Sequence, residues 1–216
     1  MNKITTLEEA VSHIKSGMTI MIGGFLGNGN PKNIIDLIVQ MPINNLTIIC
    51  NDTAMPDIGI GKLIVNKQVT KVITSHIGTN PITGDMMNAN ELEIEFSPQG
   101  TLAERIRCGG GGLGGVLTKT GLGTIVADGK PLIHIDGTDY LLEKPLTADV
   151  ALIGASVGDK SGNLIYKGTS QNFSPLMATA ADLVIAEVDE LVEVGDIAPE
   201  HVHTPAIFVD YIVINA

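Results

Sequence analysis

Short apolar runs recur along this chain, each closing on glycine or small polar residues and each followed by a stretch with helical spacing. Thr6 to Glu9 forms a capping-box pattern. Leu7, Ala10, Val11 and Ile14 then fall on one helical face, and Gly17 predicts the stop. Thr19 to Ile22 is uniformly apolar, as expected of a strand buried on both faces of a parallel sheet. Leu46 to Cys50 repeats that run and ends at Asn51, Asp52 and Thr53. Val72 to Thr74 repeats it again and ends in SHIGTNP, Ser75 to Pro81. Leu92 to Phe96 alternates as LEIEF, which predicts a strand with one wet face. Leu132 to Leu142 carries an Asp136-Gly137 pair between two strand-like runs, a strong hairpin signal. Val150 to Ile153, Leu183 to Ile185 and Ile207 to Val213 are further strand candidates, and Asn172 to Ala181 reads as a helix with Pro175 in its first turn. The expected fold class is therefore α/β, a mostly parallel sheet flanked by helices with an added antiparallel hairpin. The 216 residues fit one domain spanning 1–216, with no internal repeat.

Two glycine-rich stretches interrupt this pattern. In TIMIGGFLGNGNP, Thr19 to Pro31, the first apolar run meets Gly23, Gly24, Gly27 and Gly29, then Asn30 and Pro31, a suitable cap and first helical residue. Strand, glycine loop and helix in that order let a ligand approach the main chain and present helix-start N–H groups to an anion or a carbonyl. A turn that merely connects two elements is the alternative. The second stretch is Cys108 to Gly115, with six glycines in eight residues. Thr101 and Glu104 predict a second capping box and a short helix to Arg107, while Gly109 to Gly115 are expected to be neither helix nor strand. They serve either close approach of backbone to backbone or ligand, or a disordered lid or linker.

Composition narrows the chemistry. Net charge is −11, from 13 basic and 24 acidic residues, and the basic residues do not cluster. That balance argues against nucleic acid as a partner. Cys50 and Cys108 lie far apart with no metal-ligand spacing, so a reduced, cytoplasmic setting is expected. MNKITTLEEAV reads as neither a signal peptide nor a basic transit segment, and no run reaches the length of a membrane span, so no membrane partner is expected. No GxSxG elbow is present, Cys108 has no evident activating histidine, and the His201/His203 pair lacks a convincing third ligand, so no metal is expected. The candidate cleft is lined by the first glycine loop, Asn51, Thr53, His76, Asn80, Gln99 and the second glycine run. These groups can hold a carbonyl oxygen or carboxylate. They cannot break a bond by themselves.

GGFLGNGNP closely resembles the signature near the N-terminus of the α subunit of class I (3-oxoacid) coenzyme A transferases. NDTAMPDIGIGKLI (Asn51 to Ile64), SHIGTNPITG (Ser75 to Gly84) and SPQGTLAERIRCGGGGLGGVLTKTGLGT (Ser97 to Thr124) match in order, and the resemblance continues through PLTADVAL and QNFSPLMATAA. SHIGTNP looks most like the acetate or butyrate to acetoacetate branch. The resemblance implies the fold shared with sugar-phosphate isomerases and CoA transfer between short-chain acids, with acyl-CoA as substrate and no permanent cofactor. It also implies a β subunit that carries the nucleophilic glutamate, in an α2β2 or larger hetero-oligomer. By the same resemblance Phe25, Leu26, Gly27, Asn28, Gly29, Asn30 and Pro31 contact CoA, and Gln99 lies close to the acyl or glutamyl group as a positioning donor. Gly23, Gly24, Gly109, Gly110 and Gly111 line the cleft. One departure is Ser16-Gly17, where family members often place an acidic or amide residue before the glycine. A phosphate- or sugar-phosphate-binding sensor domain on a related fold is the competing reading.

Overall fold

In the computed structural model, which describes residues 3–215, the chain runs through α1 (Leu7–Ser12), β1 (Thr19–Ile22), α2 (Lys32–Gln40), β2 (Leu46–Asp52), α3 (Ile60–Val65), β3 (Val69–His76), α4 (Pro81–Asn88), β4 (Glu93–Phe96) and α5 (Gln99–Gly110). Then follow β5 (Val116–Thr118), β6 (Leu132–Ile135), β7 (Thr138–Glu143), β8 (Ala148–Asp159), β9 (Leu164–Ile165), α6 (Ser174–Thr179), β10 (Ala181–Val192) and β11 (Tyr211–Ile214). The main sheet has the order β11-β10-β8-β1-β2-β3-β4 with every neighbouring pair parallel, and β9 pairs antiparallel with β8. A second, antiparallel sheet has the order β5-β7-β6. Its hairpin turns at Asp136 and Gly137, both at positive φ (48° and 74°), as the expected two-residue turn requires.

Period-two alternation divides the strand side chains between two cores. Ile20, Ile22, Ile48, Cys50, Val72, Val150, Leu152 and Ile185 face one side, where Ala10, Val11, Ile34, Ile35, Ile38, Leu63 and Ile64 of α1, α2 and α3 cover them. Met21, Ile49, Ile73, Ala151, Ile153, Val184 and Ala186 face the other, under Leu102 and Ile106 of α5 and Met177 and Ala178 of α6. Both faces of the parallel sheet are therefore dry, which leaves polar groups the ends of the strands.

Several expected element ends move. Helix α1 stops at Ser12, well before Gly17, although Ile14 stays buried beyond it. Only half of its capping box forms: Thr6 Oγ1 accepts from the Glu9 N–H at 3.2 Å, but the Glu9 carboxylate accepts from Thr5 Oγ1. The expected strand over 207–213 is a 3₁₀ turn at Ala206–Phe208 followed by β11, and Ile207 is exposed. Helix α5 starts at Gln99 with Pro98 as its cap, two residues before Thr101, so Thr101 lies buried inside the helix and Glu104 pairs with Arg107 at 2.8 Å.

Gly109 and Gly110, expected outside regular structure, form the last turn of α5. A Cβ on Gly109 would collide with the Leu146 carbonyl, and one on Gly110 with the Thr179 hydroxyl. Close approach of a helix to the chain entering β8 and β10 is what these glycines permit. Arg105, one turn earlier, is 5% exposed and ties the two sheets together. Its guanidinium meets Glu95 of β4 at 2.8 Å and Glu143 of β7 at 3.8 Å, and donates to the Lys144 carbonyl at 3.0 Å.

The start of α2 is capped from across the fold. Asn30, the expected cap, instead donates through Nδ2 to the Gly23 carbonyl, and the cap position is Pro31, which makes no side-chain bond to the helix. The Glu187 carboxylate, from the middle of β10, accepts from the N–H groups of Asn33 at 3.2 Å and Ile34 at 2.9 Å. At the other end of α2 the buried Gln68 amide donates to the carbonyls of Ile38 and Ile43, both at 2.8 Å.

Burial raises the Glu187 pKa, outweighing the backbone N–H groups that favour the carboxylate. The folded chain therefore holds this proton more tightly than the unfolded chain does, so the contribution of Glu187 to stability is full at low pH and is lost as pH rises through its raised pKa. Urea unfolding of wild type and Glu187→Gln across pH 4 to 8 checks this. The stability difference, wild type minus variant, is expected to fall as pH rises, and a flat difference rejects the assigned shift. Gly109→Ala is expected to destabilise by about 1–3 kcal/mol through overpacking against the Leu146 carbonyl. Gly114→Ala, with open space around the new methyl group, is expected to stay within about 0.5 kcal/mol. Equal losses in the two variants count against close packing as the reason for the Gly109 site.

Candidate functional site

The strands of a parallel sheet all end at one edge, and here that edge gathers the expected residues from β1, β2, β3 and β4. Gly23 follows β1 directly and donates to the Leu152 carbonyl of β8 at 3.0 Å. The first glycine loop then makes a tight turn, with Phe25 and Asn28 exchanging two backbone hydrogen bonds at 2.9 Å. Leu26 and Gly27 between them sit at φ 51° and 84°. A leucine at positive φ costs free energy and persists only where surrounding contacts hold it.

Asp52, the last residue of β2, supplies those contacts. Its carboxylate accepts from Leu26 N–H at 3.1 and 3.2 Å and from Ala54 N–H at 3.0 Å, and Ala54 is also at positive φ. Asp52 is buried, and desolvation raises its pKa despite the two N–H groups and the nearby His76, which favour the charged form. One carboxylate therefore fixes the loops after β1 and after β2 in a single arrangement. Its importance was not evident from sequence, where Asp52 read only as part of a polar strand tip. The dipeptide it bridges to, 26 residues earlier, carries no pairing signal.

Asn51, one residue before, is fully buried and makes the central polar contact of the edge. Its Oδ1 accepts from Ser75 Oγ of β3 at 2.7 Å and from Gln99 Nε2, at the start of α5, at 3.0 Å. An amide NH2 has two hydrogens, so one remains on Gln99 Nε2, and the described residues offer it no acceptor. Asn80 Nδ2 donates to the Thr53 carbonyl at 3.2 Å, closing the loop before α4 onto the loop after β2. His76 is exposed beside Asp52, its ring lying against Gly78. Among the described residues at the tips of β1 to β4, no Ser, Thr or Cys side chain bonds to a histidine ring or a carboxylate; Thr74 Oγ1 meets only the main chain of His76. Cys50 is buried in the sheet, where desolvation drives its thiol pKa far up.

Buried side-chain atoms without a partner among the described residues concentrate at the same edge: Asn51 Nδ2, Thr53 Oγ1, Asn80 Oδ1, Ser97 Oγ, Asn30 Oδ1 and Ser174 Oγ. Unsatisfied polar atoms in such numbers are costly unless something outside the chain completes them.

Two expected features are placed elsewhere. Gly29 and Asn30 turn toward β8, where the Gly154 N–H donates to the Gly29 carbonyl at 3.1 Å. They border a cavity of about 90 Å³ that also includes Lys32, Ser156 and Glu187, distinct from the Asn51–Gln99 contact. The N–H groups at the start of α2, expected to face a ligand, are occupied by Glu187. Gly109, Gly110 and Gly111 lie at the far end of α5, roughly 16 Å from Gln99 by helix rise. Gly109 and Gly110 abut the residues that lead into β8 and β10, at the edge opposite the strand tips.

Comparison with known proteins now bears on this geometry. The family model described as Coenzyme A transferase matches residues 4–215. The chain is 58% identical over 212 residues to the acetoacetyl-CoA:acetate/butyrate CoA transferase alpha subunit of Clostridium acetobutylicum, covering 98% of this chain and 97% of that one. It is 51% identical over 213 residues to the acetate CoA-transferase subunit alpha of Escherichia coli K12, covering 99% and 97%. Among solved structures, an acyl-CoA transferase of Escherichia coli O157:H7, in a thioester complex with CoA, superposes with a TM-score of 0.86 at 22% identity. That match covers 99% of this chain, which spans about half (47%) of the larger protein and shares its fold. With a family model spanning almost every residue and two relatives matched along nearly their full lengths, the chain belongs to the coenzyme A transferase family.

Proposed function

We propose that this chain is the α subunit of a transferase that moves CoA between acetoacetyl-CoA and acetate or butyrate, by way of a glutamyl-CoA thioester on a β subunit. The observation that carries the reading is the 58% identity, along almost the whole chain, to a relative named for those substrates and for its α-subunit role. The strand-tip edge supports it chemically. It offers neutral donors and buried polar atoms that await partners and, among the described residues, no activated nucleophile.

The proposed reaction proceeds by acyl transfers. A glutamate carboxylate oxygen attacks the thioester carbonyl carbon, the C–S bond breaks, and CoA leaves as a thiolate from a mixed anhydride. The thiolate attacks the glutamyl carbonyl, the C–O bond breaks, and the donor acid departs as its carboxylate. The acceptor acid runs the same two steps in reverse. Each step builds negative charge on a carbonyl oxygen. Gln99 has the uncommitted N–H to stabilise it, and an amide does not compete as a nucleophile.

In this reading the loop from Phe25 to Pro31 contacts CoA, while Gly23, Gly24, Asn51, Thr53, His76 and Asn80 form one wall of the cleft. Gly109 to Gly111 are left out of it, since they stand at the other end of α5. A chain at −11 whose buried acid already occupies the α2 helix start is poorly suited to hold the CoA phosphates. The β subunit supplies most of those contacts.

The purified chain alone is expected to show no CoA transfer from acetoacetyl-CoA to acetate or butyrate, with activity appearing when the β subunit is added. Full activity without the β subunit refutes the division of labour. In the reconstituted enzyme, Gln99→Ala is expected to slow turnover roughly ten- to a thousandfold, the range for loss of one oxyanion donor. Unchanged turnover with intact assembly removes Gln99 from the site.

A further inference from the structure

We infer that Ser75 is a positioning residue that acts on the reaction through Asn51 and Gln99, a relay that links the tips of β2 and β3 to the start of α5. The inference rests on the role given above to Gln99, which is the member that meets the reacting carbonyl.

The bonding pattern carries it. Gln99 ends in a three-torsion side chain whose last torsion is broad, so an untethered amide explores many orientations. Fixing such a side chain costs rotamer entropy. Its one side-chain bond among the described residues is from Nε2 to Asn51 Oδ1, at 3.0 Å. Asn51 therefore sets where the second Nε2 hydrogen points. Ser75 in turn sets Asn51. Its Oγ lies 2.7 Å from Asn51 Oδ1 and 2.7 Å from the Asn51 main-chain carbonyl, so its single hydrogen has an acceptor at either end of that residue. The same carbonyl also takes the Thr74 hydroxyl at 3.1 Å. Because the Thr74 hydroxyl serves that carbonyl, the Ser75 hydrogen is left for Asn51 Oδ1, where Ser75 and Gln99 together engage both lone pairs. Neither a glycine loop nor a main-chain donor takes part. Three side chains from β2, β3 and the start of α5 hold one amide in place.

The relay predicts a pattern that separate contributions do not give. In the reconstituted enzyme, Ser75→Ala is expected to lower kcat roughly three- to tenfold, the worth of one hydrogen bond, with KM for acetoacetyl-CoA changed less than twofold. Ser75→Thr keeps the hydroxyl and is expected to restore most of the rate. In a Gln99→Ala background, Ser75→Ala is expected to cost nothing more, because the group it orients is gone. Full additivity of the two losses overturns the relay, and so does an unchanged kcat in Ser75→Ala. If Gln99→Ala alone leaves turnover intact, the role of Gln99 fails first and the relay falls with it, an outcome told apart by that single variant. A second measurement covers a Ser75→Ala chain that assembles poorly. In the full-length chain, the side-chain amide resonances of Gln99, identified by their loss in Gln99→Ala, are expected to shift and exchange faster with water in Ser75→Ala but not in Ser75→Thr. Unaltered resonances in Ser75→Ala overturn the proposal.

Discussion

A parallel sheet covered by helices on both faces has no wet surface of its own, and that constraint governs the rest of this molecule. Alternate residues of β1, β2, β3, β8 and β10 enter two separate apolar cores, so a polar side chain in mid-strand is affordable only where it meets a buried partner. Polar chemistry is displaced to the strand ends. At the carboxyl ends the loops are also free to differ without disturbing the cores. Asn51, Asp52, Ser75, His76 and Gln99 stand together because β2, β3 and β4 are neighbours in register, Asp52 opposite His76 and Thr74 opposite Phe96.

Glu187 is a charged mid-strand exception, and it shows how such a group is tolerated. It meets the start of α2, where N–H groups left over by the helix need acceptors. Asp52 does comparable work for the strained Leu26 and Ala54 peptides. Both carboxylates accept from main-chain donors that would otherwise be open to a ligand. The consequence reaches function: the Leu26 N–H of the first glycine loop and the N–H groups that open α2 are met from inside the chain. What stays uncommitted is neutral and local, the second Gln99 hydrogen and the unpartnered atoms around it. Neutral donors suit a carbonyl oxygen that gains charge only during reaction better than a fully charged phosphate.

Local signals were read from the sequence where the physics is local. The Asp136-Gly137 turn, the apolar runs of β1, β2 and β8, and Pro175 at the start of α6 all follow from neighbours within a few residues. The misreadings share a cause. Asn30 has the right identity for a cap, but a carboxylate 153 residues away from Ile34 fills that place, and no local pattern encodes it. Thr101 and Glu104 have capping-box spacing, yet packing starts α5 at Gln99 and buries Thr101. Gly109 and Gly110 are poor helix formers, and the close approach of Leu146 and Thr179 outweighs that propensity. The site was legible as a set of strand tips. Which tip touches which, Ser75 to Asn51 to Gln99, depends on a strand order that spacing alone does not reveal.

The same constraint bears on why a reaction of this kind suits two chains. Attack on a planar thioester comes from above the carbonyl plane, while donors that stabilise the oxygen lie near its edge. A nucleophilic carboxylate placed on the same row of strand tips as Gln99 and Asn51 would sit within reach of their N–H groups. Hydrogen bonds from those groups would stabilise its charge, lower its basicity and blunt its attack. Asp52 shows how readily a carboxylate at a strand tip is taken up by nearby donors, the N–H groups of Leu26 and Ala54, even though burial leaves its pKa raised. Holding the nucleophile on a partner and the donors on this chain, as proposed here, keeps the two apart until the thioester lies between them.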